Sequence, residues 1–83
     1  MNDATLKELA KIKALTPGRA VHFQTWLTNG VMVEAVLSGD RAALVTTWAN
    51  GELADDVSLP TAPDARRMAA ALIAMADEWE GVK

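Results

Sequence analysis

Apolar residues recur at helical spacing near both ends of the chain and at alternate positions in its middle, and this change of period predicts the fold. Near the start, Leu6, Leu9, Ile12 and Leu15 line one side of a helix over residues 3–15, with Lys7, Glu8 and Lys11 on the other. Thr16-Pro17-Gly18 ends it, because proline disfavours helical geometry at the residue before it. From residue 20 the period is two. Three turn signals, Asn29-Gly30, Gly39-Asp40 and Asn50-Gly51, divide the segment into strands over about 20–28, 31–38, 41–49 and 52–59, joined as a meander. A second helix spans residues 62–80. Thr61 caps it, Pro63 sits in its first turn, Asp64 is placed to close a capping box, and Gly81 ends it. The expected architecture is one α+β domain over residues 1–83: a short N-terminal helix, a four-stranded antiparallel meander, and a long C-terminal helix packed on one sheet face.

Register follows from asking which pairing gathers apolar residues on one face. At the first turn only a three-residue Thr28-Asn29-Gly30 loop does so, with Gly30 in the left-handed position of a bulge. Leu27 then faces Val31, Thr25 faces Val33 and Phe23 faces Ala35. Two-residue loops at the other turns set Ala42 opposite Leu37, Leu44 opposite Ala35, Leu53 opposite Trp48 and Val57 opposite Leu44. One face (Val21, Phe23, Leu27, Val31, Val33, Ala35, Leu37, Leu44, Trp48, Leu53, Val57, Leu59) is then the expected core. The helix stripe Ala65, Met68, Leu72, Met75, Ala76 and Trp79 matches it. The second face holds His22, Gln24, Trp26, Met32, Glu34, Val36, Ala43, Val45, Thr47, Ala54, Asp56 and Ser58. Trp26, Met32, Val36 and Val45 make it too apolar for a solvated sheet face, so these four, with His22 beside them, are the expected interface. Three occupants are open: the first helix folded back, a second copy, or another protein.

Composition narrows the chemistry. The chain has 83 residues, 51% hydrophobic and 23% charged, with no cysteine and a formal net charge of −3. Disulfides, thiolate metal sites and thiol nucleophiles are excluded, and with one histidine we expect no metal and no cofactor. The apolar run over residues 68–76 is too short to span a bilayer and no signal peptide is evident, so the expectation is a cytoplasmic protein without a membrane partner. Charge is uneven. Residues 1–19 carry four cations against two acids, and residues 52–80 carry seven acids against two arginines. An acidic domain repels phosphate backbones, which argues against nucleic acid as a partner.

No catalytic constellation emerges. His22 lies near Gln24 and Glu34, but Ser38 and Ser58 fall at strand ends, away from any base that could activate them. Asp55 and Asp56 are adjacent on a strand and point to opposite faces, so they cannot share a metal or work as an acid–base pair. The five glycines fall at turns and helix ends rather than in a phosphate loop.

The stretch Val57-Ser58-Leu59-Pro60, then Pro63-Asp64-Ala65-Arg66-Arg67-Met68-Ala69-Ala70-Ala71-Leu72 and Ala76-Asp77-Glu78, resembles short uncharacterised proteins of actinobacteria and their phages. In those a strand meander ends in an alanine- and arginine-bearing helix. The resemblance covers about 25 residues; it implies an accessory protein and carries over no site residue. The element order is also similar to double-stranded-RNA-binding domains, which have three strands and a lysine-rich second helix where this chain has Asp64, Arg66, Arg67 and terminal acids. It is similar, too, to one repeat of the purine-rich-element-binding proteins, which bind single strands on a sheet face. The expected function is a small non-enzymatic interaction or regulatory protein. It pairs with itself through the Trp26 face, or acts on a host or other protein. The alternative is a single-stranded nucleic-acid-binding module.

Overall fold

The computed structural model describes residues 2–14, 22–37 and 42–81. The order is α1 (Asp3–Ala14), β1 (His22–Trp26), β2 (Met32–Leu37), β3 (Ala43–Ala49), β4 (Glu52–Leu59) and α2 (Ala62–Gly81). The strands form one antiparallel sheet in sequence order. Leu15, Val21 and the Ser38–Arg41 end of the second turn lie outside the described residues.

Local chemistry accounts for the element ends. The Asn2 side chain accepts from the Thr5 N–H at 2.9 Å and caps α1. At α2 the Asp64 N–H donates to the Thr61 hydroxyl at 3.3 Å, and that hydroxyl donates to the Asp64 carboxylate at 2.6 Å. Threonine and acid thus bond each other directly, rather than the acid reaching the cap's backbone as a full capping box would require. At the first hairpin Gly30 has φ +86°, and Leu27 donates its N–H to the Val31 carbonyl at 2.8 Å. At the third, Asn50 and Gly51 both take positive φ, as a two-residue hairpin turn of this hand requires.

The β1–β2 register is the one expected, with Phe23 opposite Ala35 and Thr25 opposite Val33. The β2–β3 register differs by one residue: Leu37 pairs with Ala43, Ala35 with Val45 and Met32 with Trp48. A slip of one exchanges the two faces of a strand. Alternation in β3 cannot choose between the two settings, because Ala43, Val45 and Ala49 are apolar at one parity and Leu44 and Trp48 at the other. In β4 the pairs are Trp48 with Leu53 as expected, then Thr47 with Asp55, Val45 with Val57 and Leu44 with Ser58. Ala54 is the extra residue of a bulge, so Leu53 projects on the opposite face from Val57 and Leu59.

One sheet face therefore carries Phe23, Val33, Ala35, Val45, Val57 and Leu59, and the first turns of α2 approach it. Val45, Thr47, Asp55, Asp56, Val57 and Met68 line a recess of about 240 Å³ there. Beyond Met68 only Ile73 of the helix is half-buried. Leu72 and Met75 are each 62% exposed and Trp79 is 76% exposed, so the expected match of the whole stripe to the sheet holds only for its first two turns. Among the described residues no apolar side chain is fully buried. The radius of gyration is 13.6 Å, against about 12 Å for a compact chain of this length. The accessible surface is 6769 Å², against about 4800 Å² for a monomer of this mass.

Candidate functional site

The other sheet face is built from the even-numbered residues of β1, β2 and β3. Cross-strand pairing places Trp26 beside Met32 and Trp48, and His22 beside Val36 and Leu44. Gln24, Glu34, Thr46 and Asp56 form the row between them. The bulge in β4 adds Leu53 next to Trp48. Of the expected interface residues, Trp26, Met32, Val36 and His22 are brought together here. Val45 is not. The β3 register places it opposite Ala35, on the face that Met68 of α2 approaches, and puts Leu44 and Trp48 on the Trp26 face in its stead.

Trp26 is 61% exposed, and Leu44 and Leu53 are exposed with it. The first helix therefore does not fold over Trp26. Its Asn2 donates from Nδ2 to Asp77 of α2 at 2.8 Å, which ties the start of α1 to the far end of α2.

At the centre of the face lies a polar cluster. Glu34 Oε2 accepts from Gln24 Nε2 at 2.8 Å and meets His22 Nε2 at 2.7 Å. The Gln24 hydrogen bond, then that from His22, holds the Glu34 carboxyl below its usual range against the opposing effect of burial. These contacts thus favour the ionised carboxylate at the middle of the face. Next along the row Thr46 is the only buried residue among those described, at 6% exposure. The Trp48 indole lies over it and donates from Nε1 to Thr46 Oγ1 at 2.9 Å. Expected in the core, Trp48 instead belongs to this face. The signal for the contact was available in the sequence: residues two apart on a strand are neighbours, and an indole N–H seeks an acceptor when covered.

Chemically the cluster orients His22 through Glu34. A histidine held by a carboxylate needs a nucleophile on its other side to resemble a hydrolytic site. The hydroxyl next along the row, Thr46, is buried and bonded to Trp48. Ser58 pairs with Leu44, at the far edge of the sheet. No group of three metal-ligating side chains occurs among the described residues, and none of their helices is long and apolar enough to cross a membrane. The recess beside Met68 is below the size of an ordinary small-molecule site. What the geometry offers is an apolar surface around an ionised centre. Comparisons with protein-family models, with curated proteins and with solved structures find no match.

Proposed function

We propose that the chain is a small non-enzymatic interaction protein of the cytoplasm, an accessory factor of the actinobacterial or phage kind, whose partner-binding surface is the Trp26 face. One observation carries the reading: an 83-residue chain leaves Trp26, Leu44 and Leu53 exposed around a shielded carboxylate, while burying no apolar side chain fully among its described residues. Apolar surface of this kind marks a contact site, and an exposed tryptophan is a typical anchor of one. Two copies stacked by a two-fold through this face would bring one Glu34 charge near the other, and like charges facing across a contact oppose it. The better complement is a different protein that offers a cation or hydrogen-bond donors opposite Glu34 and Asp56, within an apolar surround. The single-strand alternative uses Trp26 and His22 as stacking platforms, and the same two carboxylates repel the phosphates it must accept.

The test substitutes Trp26→Glu. Circular dichroism and urea melting should match the parent, because the side chain is mostly in solvent, while a partner cross-linked to the parent is no longer captured. A variant that unfolds, or that captures the same protein as the parent, refutes the reading.

A further inference from the structure

We infer that α2 is the self-association element, pairing antiparallel with α2 of a second copy across a two-fold axis near Ile73. The inference is independent of what the Trp26 face binds. It starts from the exposed half of the helix: Leu72, Met75 and Trp79 fall on one stripe and stand in solvent.

Charge selects the occupant and its direction. At 100° per residue, Arg66 and Glu80 flank the stripe on one side, and Arg67 and Glu78 on the other. Both cations are in the first turns and both acids in the last. That is unfavourable within one helix, since Asp77, Glu78 and Glu80 crowd its negative end, where the last turn has no basic residue. Among the described residues Arg66 meets no acid, and no cation meets Glu78 or Glu80. A parallel pair would set acids against acids. An antiparallel pair crossing near residue 73 brings Arg66 level with Glu80 of the other copy and Arg67 level with Glu78. In antiparallel helices the same flank of each copy meets its counterpart, so both contacts form twice. The same crossing carries each Trp79 to the level of Met68 in the other copy. There the recess of about 240 Å³ between α2 and the sheet is of the order of one aromatic side chain, and Asp55, whose side chain lies on that face, can accept from an indole N–H.

The test uses two exposed substitutions that leave the Thr61, Asp64 and Arg67 contacts intact. Arg66→Glu and Glu80→Arg are made as separate proteins, and molar mass is measured by light scattering over a dilution series. The parent should be a dimer, and each variant alone should dissociate at about tenfold higher concentration, because two attractive contacts become repulsive. Mixed in equal amounts, the two variants should recover the parent's affinity as a heterodimer, since every contact is then between opposite charges. Helix content by circular dichroism should be unchanged throughout. A parent that is monomeric at all concentrations overturns the inference, as does a mixture no tighter than either variant alone. Dissociation by Trp26→Glu rather than by Arg66→Glu would place self-association on the sheet face and overturn it too.

Discussion

The bond between Trp48 and Thr46 can be measured, and its size worked out beforehand. Thr46 is the one buried residue among those described, and its hydroxyl takes the indole N–H at 2.9 Å. Thr46→Val keeps the shape and removes the acceptor. A hydrogen bond of this kind contributes about 1 kcal/mol net, and a fully buried orphan donor costs about 1–3 kcal/mol. Trp48 is only half-buried, so water reaches part of the indole and the loss stays near the lower figure. The added methyl group, sealed from solvent, returns about 0.8 kcal/mol. The single substitution is therefore close to neutral and tells little. The coupling is what carries information. Thr46→Val, Trp48→Phe and the double variant should give an interaction energy of about 1 kcal/mol in urea melts, all at one protein concentration, since association would stabilise by mass action. Additivity to within about 0.3 kcal/mol would show that the indole covers Thr46 without bonding it, and the account of this face would fail at its centre.

Two further outcomes follow from local geometry. Gly30→Ala should destabilise the fold by about 1 kcal/mol, because φ +86° strains any Cβ although nothing lies within 4 Å of it. Gly30→Asn should cost less in the same melts, and equal costs would locate the penalty outside the backbone. The lowered Glu34 pKa means that its contribution to stability is complete above its ordinary value of 4.5 and is lost as pH falls through the folded-state value. Glu34→Gln should therefore flatten the acid limb of the stability profile, and an unchanged acid limb would refute the linkage.

The turns were the most legible part of the sequence. Asn29-Gly30 and Asn50-Gly51 constrain backbone sign locally, so the first register and the clustering of His22, Gln24 and Glu34 could be read from it. The parity of β3 could not, because ALVTTWA presents apolar residues at both settings and the deciding interactions are with β2 and β4. The bulge at Ala54 has no local mark either, as alanine neither demands nor resists it. The stripe of α2 was visible, but a helix that packs on its own sheet and one that packs on another copy share the same period. The undecided parity of β3 is why Trp48 and Val45 exchanged faces, and the shared period of the helix is why Trp79 moved from core to surface. Trp26, Met32 and Val36 stayed where alternation put them.

The meander also sets an order of events during synthesis. Each strand pairs only with its neighbour in sequence, so every contact in the sheet closes a short loop, and the entropy lost grows only slowly with loop length. Hairpins form in microseconds, while the ribosome adds a residue in a small fraction of a second. Each strand can therefore meet its partner almost as soon as it emerges. The twenty residues of α2 follow β4 in sequence, when the sheet has no unpaired interior strand left to offer them. In the order of synthesis α2 thus meets a β layer that is already closed, as an amphipathic helix still uncommitted.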